Sequence, residues 1–166
     1  MIRAHLTRAR VLVLTAFVLV IAALVAGSAV LFGQTRQAEA DSAARDSAQE
    51  AGKTLVPKVL SYNYQTLQAD IANATGAATG NFKQNLQALM TQVVQPTATN
   101  DNVVTKASVT HTAVVDGHGG DVVLLVLLSQ ESTSRNQPTP VVSTSSARVQ
   151  LHRDGDRWLV ADLQPL

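Results

Sequence analysis

Three groups of residues are able, by type, to carry chemistry. The stretch VLSYNYQTLQADI, Val59 to Ile71, holds both tyrosines of the chain, Tyr62 and Tyr64, followed by Asp70. A phenol beside a carboxylate would make a general acid/base pair. The stretch DGHGGD gathers Asp116, His118 and Asp121, residue types that ligate metals. His111 falls on the apolar row of an alternating segment, where an imidazole near its ordinary pKa could line a cavity or move a proton.

Spacing argues against each. On a helix, Tyr62 and Tyr64 are about 200° apart, so the phenols diverge, and Asp70 is not aligned with Tyr62. The ligand types of DGHGGD fit no calcium-loop pattern and suit a glycine-rich turn. A histidine on an apolar row is ordinarily a core residue with its hydrogen bond satisfied. There is no G-x-S-x-G elbow, phosphate-binding glycine loop or H-E-x-x-H, and no cysteine among the 166 residues. The residues alone therefore assign no catalytic, cofactor-binding or metal-binding position.

The elements that must position these residues follow from periodicity. Ala40, Ala44, Ala48 and Ala51 mark a thin helical stripe, which Gly52 is expected to interrupt. Thr54 then serves as N-cap, and Val56, Leu60, Tyr64, Leu67, Ile71 and Ala74 form the apolar face of a second helix. Phe82, Leu86, Leu89 and Val93 mark a third, ended by Pro96. Beyond it the period changes to two. Val103, Ala107, Val109, Ala113 and Val115 share one side of a strand, with His111 in the same row. Val122 to Leu128 is continuously apolar, as in a central strand covered on both faces. ARVQLHR and RWLVADL flank Asp154-Gly155, a hairpin signal that pairs Leu151 with Trp158 and Val149 with Val160. Val109, His111, Val149, Leu151 and Val160 are thereby the candidates to line a cavity. The sum is an α+β fold, three helices on a four-stranded, mostly antiparallel sheet.

Charge patterning adds a location. Arg3, Arg8 and Arg10 are the only charged side chains before Arg36. The remainder is mildly acidic and gives no reason to expect nucleic acid binding. Val11 to Phe32 contains no charge, and as a helix it would reach about 33 Å, enough for a bilayer core. Ala26-Gly27-Ser28 would suit a signal peptidase, but the apolar run continues to Phe32, longer than a signal core. The expected organisation is a cytoplasmic segment 1–10, a transmembrane helix 11–32, a juxtamembrane helix 33–53 and an extracytoplasmic domain 54–166. The N-terminal arginines would stay inside, on a single-pass protein of the inner membrane.

The order of an N-in anchor, an alanine-rich helix, VLSYNYQTLQADI, Thr79-Gly80-Asn81-Phe82 and a closing DGDRWLVADLQPL resembles the Mce-associated membrane proteins of mycobacteria and related actinobacteria. The resemblance runs from the anchor to the last residue. Tyr62, Tyr64, Asp70, Gly80, Phe82 and Trp158 occupy matching motif positions, whereas Asn63 and Gln68 stand where acidic residues are common. It implies a cone-shaped domain of the nuclear-transport-factor and ketosteroid-isomerase type. It also implies a non-enzymatic accessory role, without cofactor, beside the substrate-binding and permease subunits of an Mce lipid- or sterol-import complex. The rival readings are an autonomous lipid- or sterol-binding domain and an isomerase-like enzyme, the latter requiring a carboxylate such as Asp162 near His111.

Overall fold

The computed structural model describes residues 39–166, of which 41–166 form one compact unit. The expected segments 1–10 and 11–32, and the start of 33–53, lie outside the described residues. No described helix is long and apolar enough to cross a membrane.

Helix α1 runs without a break over residues 39–60. The interruption expected at Gly52 does not occur, and the boundary expected at 53/54 falls inside this helix. Its buried line is Ala44, Ala48, Gly52, Val56 and Val59, a stripe of small residues in the first half that lets the helix lie close to the sheet. A Cβ on Gly52 would come within 2.5 Å of Leu124 Cδ1. Glycine is here a spacer between helix and strand, and the helix tolerates it at a cost of about 1 kcal/mol relative to alanine. Thr54 is no N-cap: its hydroxyl donates to the Ala51 carbonyl within the helix, at 2.9 Å.

The second expected helix is also divided. After α1 come the two-residue strand β1 (Tyr62–Asn63), a turn, and α2 (Leu67–Gly76). Helix α3 (Gly80–Leu89) continues through a π turn (Met90–Val94) into α4 (Gln95–Asp101). Pro96 therefore does not end the helix. It sits in the first turn of α4, immediately after the π turn. The inward residues are Phe82, Leu86, Met90, Val94 and Ala98, four apart throughout. A strict four-residue step overshoots an α-helical turn by about 40°. The wider π turn, closed by i→i+5 bonds, takes up much of that drift and keeps the line facing the core. For the same reason the expected stripe members Leu89 and Val93 point outward, 52% and 54% exposed.

The sheet has five strands, not four, in the order β1-β2-β3-β4-β5, each pair antiparallel. The long strands are β2 (Val104–His118), β3 (Asp121–Thr133), β4 (Val141–Asp154) and β5 (Arg157–Pro165). The register between β2 and β3 skips Thr110 and Val115. An extra residue exchanges the two faces of a strand and bends it. Thr105, Ala107 and Val109 face inward before the first skip, and Thr112, Val114 and Gly117 after it. His111, Ala113 and Val115 are consequently exposed. His111 is neither a core residue nor a cavity-lining one, because the bulge at Thr110 reverses the alternation that placed it inside.

β3 occupies the centre as expected, but the helices cover only one of its faces. Val122, Leu124, Val126 and Leu128 are buried, whereas Val123 and Leu125 are half-buried and Leu127 is 44% exposed. Between β4 and β5 the turn residues are Gly155-Asp156 rather than Asp154-Gly155, with Asp154 opposite Arg157. Gly155 has φ 61° and Asp156 does not share that sign, the pattern of a glycine-first II′ turn. Leu151 then pairs with Val160, Arg153 with Trp158, and, after a skip, Val149 with Leu163. A slip of two residues preserves the faces, so Ala147, Val149, Leu151, Trp158 and Val160 all remain buried. The outer edge of β5 is closed by the α2–α3 connection. Thr79 N–H donates to Val160 O at 2.9 Å and Val160 N–H to Ala77 O at 2.8 Å.

Candidate functional site

The tyrosine stretch is a structural joint. Tyr62 pairs with Thr105 on β1, and the Tyr64 N–H donates to Val103 O at 3.1 Å. Both rings are half-buried against the core. Tyr64 is not on a helix with Leu60 and Leu67, because the chain turns between them. Its hydroxyl accepts from Gln65 Nε2 at 3.1 Å. Asp70 Oδ2 accepts the Asn63 backbone N–H at 2.9 Å and the Thr66 hydroxyl at 2.8 Å. The carboxylate is thus committed to holding β1 and the start of α2 together. Charged acceptors of this kind contribute about 1.5–3 kcal/mol each when buried. Here, half exposed, Asp70→Ala is expected to lower stability by about 1–2 kcal/mol, read as a smaller urea midpoint at unchanged slope.

The other expected positions are equally structural. Gly80 opens α3 at φ 57°, and Phe82 packs half-buried against the core. Trp158 is buried and its indole N–H donates to Ser47 Oγ at 3.0 Å, while the Arg153 guanidinium lies 5.9 Å from the ring centroid. Val149, Leu151 and Val160 are fully buried in the main core and Val109 packs half-buried against it. The polar residues of DGHGGD serve the β2–β3 turn and the neighbouring β3–β4 pairing. Asp116 Oδ1 accepts Gly117 N–H at 2.8 Å, and Asp121 Oδ1 lies 2.9 Å from His152 Nδ1. Among the described residues no group of three or more His, Asp or Glu is placed to hold a metal. Asp162 is on β5, separated from the strand of His111 by the two intervening strands β3 and β4, and its Oδ2 accepts from Gln164 Nε2 at 2.7 Å.

Three surfaces remain open. A cleft of about 550 Å³ lies between α1, α2 and the β4–β5 hairpin, with Leu55, Lys58, Asn73, Arg157 and Trp158 among its lining. A smaller one, about 380 Å³, is lined by Tyr64, Gln65, Gln68, Gln95 and Thr99. The third is the outer sheet face. There Leu125 lies between Ala113 and Arg148, and Leu127 between His111 and Ser146. Sequence reasoning identified Trp158 but not Lys58 or Arg157. Two exposed cations far apart in the chain carry no periodic signal, and only the folded hairpin brings them to one cleft.

Helices packed on one face of a curved five-stranded antiparallel sheet define a nuclear-transport-factor-like fold, as in VirB8. An IcmL-like type IV secretion system protein of Legionella pneumophila superposes with a TM-score of 0.61 at 8% identity, covering 74% of this chain and 91% of that one. CagV, a VirB8 homolog of Helicobacter pylori, gives 0.58 at 10% identity over 71% and 95%. At such identities the likeness is one of fold. In sequence the chain is 31% identical over 128 residues to an uncharacterized protein of Mycobacterium tuberculosis, matching 77% of this chain and 58% of that protein. The chain thus spans less than two thirds of that relative's length. It is 28% identical over 144 residues to an outer membrane protein of the same organism, over 87% of this chain and 89% of that protein. No family model matches.

Proposed function

We propose that this protein is a non-enzymatic assembly subunit of the cell envelope, and specifically an accessory subunit of an Mce-type lipid- or sterol-import complex. Residues 11–32 anchor it in the inner membrane and 54–166 lie outside, beside the substrate-binding and permease subunits. The observation that carries this reading is the outer face of β3. Val123, Leu125 and Leu127 form an apolar strip at the centre of the sheet, flanked by Ala113 and by Val115, which is 61% exposed. Exposed contiguous apolar surface on a soluble domain marks an interaction site. The fold neighbours include a periplasmic fragment of TraM and a type IV secretion system protein, and one sequence relative is an outer membrane protein, which agrees with an envelope setting. The motif order from VLSYNYQTLQADI to DGDRWLVADLQPL supports the Mce assignment.

The test is co-purification of the tagged full chain in mild detergent. Mce components in the eluate are expected, and their absence would sink the assignment. Leu127→Lys combined with Val115→Lys is expected to abolish that co-elution while leaving the thermal midpoint nearly unchanged, since exposed substitutions ordinarily shift stability by about 0.5 kcal/mol or less.

A further inference from the structure

The cleft between α1, α2 and the β4–β5 hairpin is built unlike the rest of the surface, and we propose that it binds an anionic amphiphile, one carboxylate or phosphate joined to an apolar body. The site is independent of the assembly role and of the outer sheet face. Its volume, about 550 Å³, lies in the range of small-molecule sites, which combine an apolar lining with a few polar groups. The apolar lining comes from Leu55, Ala77, Leu159 and the buried Trp158. Two cations, Lys58 and Arg157, line it as well. Neither makes an ion pair or a side-chain hydrogen bond among the described residues, whereas the neighbouring Lys53 is paired with Glu50 and Arg153 approaches Asp156 at 3.9 Å.

The placement of charge also orients the ligand. The C-terminal turn of α2, with Asn73, Gly76 and Ala77, forms another wall, and a helix C-terminus carries partial negative charge. An anion is therefore repelled from that wall and held by Lys58 and Arg157, with the apolar body directed toward Ala77, Leu55 and the indole. The one carboxylate of the cleft, Asp156, is fully exposed at the tip of the hairpin and weakens anion binding without blocking it. A guanidinium recognises a carboxylate or phosphate through paired N–H donors, so Arg157 supplies direction and Lys58 charge.

Trp158 is the only tryptophan of the chain, which makes the site self-reporting. The full chain, reconstituted in nanodiscs of neutral phosphatidylcholine, is titrated with decanoate, decanol, acetate and inorganic phosphate below micelle-forming concentrations, and indole emission is followed. Saturable change with decanoate is expected. Weaker change is expected with decanol, and none with acetate or phosphate, which separates an amphiphile site from a free-anion site. Lys58→Ala with Arg157→Ala is expected to weaken decanoate binding by about tenfold or more, tenfold being the low end for a single charged hydrogen bond. Asp156→Asn is expected to tighten it, a gain that no merely structural role would give. Equal responses to decanoate and decanol, a response to acetate or phosphate alone, or indifference to all three substitutions would each overturn the proposal.

Discussion

Replacing Trp158 by alanine is expected to destabilise the domain by about 3–5 kcal/mol, the range for deleting a buried large aromatic side chain. Three losses coincide there. The ring is 7% exposed and belongs to the main core, its N–H holds Ser47 of α1, and its face receives the Arg153 guanidinium. Domains of this size are stable by only about 5–15 kcal/mol, so the variant should melt far lower or fail to accumulate. Trp158→Phe keeps most of the apolar area and loses the indole hydrogen bond, for about 1 kcal/mol. Far-ultraviolet circular dichroism followed against temperature distinguishes the two. If the alanine variant melted within a few degrees of the parent, the indole would not be the link between α1 and the last hairpin.

Gly52→Val is expected to cost about 2–3 kcal/mol, the upper range for overpacking a core. Two effects oppose each other at this position. Any side chain other than proline improves on glycine in a helix, by up to about 1 kcal/mol for alanine. Against that, the new Cβ would stand 2.5 Å from Leu124 Cδ1, and Leu124 is fully buried on the central strand, so its side chain must shift within a close-packed core. The clash therefore wins, and the loss grows from alanine to valine. Pairing Gly52→Val with Leu124→Ala supplies the missing space. The double variant should be more stable than the sum of the two single losses implies, and contact residues commonly show couplings of about 0.5–3 kcal/mol. Strict additivity of the two changes would place the helix farther from the strand than it lies.

These positions mark the limit of what was legible in the sequence. Alternation and apolar runs located β2 to β5, and the central place of Val122 to Leu128, because burial on a sheet imposes a period of two. The Asp154-Gly155 signal located the last hairpin within one residue. The register was displaced because the glycine takes the first turn position, which follows from φ at Gly155 rather than from composition. Bulges were not legible. Thr110 and Val115 are ordinary strand residues, yet the skip at Thr110 moved His111 from the expected interior to solvent. Gly52 was misread because a helix-weakening residue and a close-packing residue are the same residue, told apart only by what lies 2.5 Å away. The tyrosine stretch fitted a helical period by coincidence. Its division into β1 and α2 is fixed by Asp70 and by the pairing of Tyr62 with Thr105, contacts that a local pattern does not contain. Of the candidate cleft, only the indole was visible beforehand.

The seam between Ala77–Thr79 and Val160 bears on the order in which the domain can form. Helices α1 to α4 leave the ribosome before the sheet against which they pack. Ser47 and its indole partner are separated by 111 positions, and the α2–α3 connection waits for β5, the second strand of the final hairpin. Contacts of such sequence separation slow folding, because loop closure must precede their reward. The face of α3 that packs on β5 therefore stays uncovered until β5 arrives. During synthesis the half-made chain exposes apolar surface that the last strand covers in the finished domain.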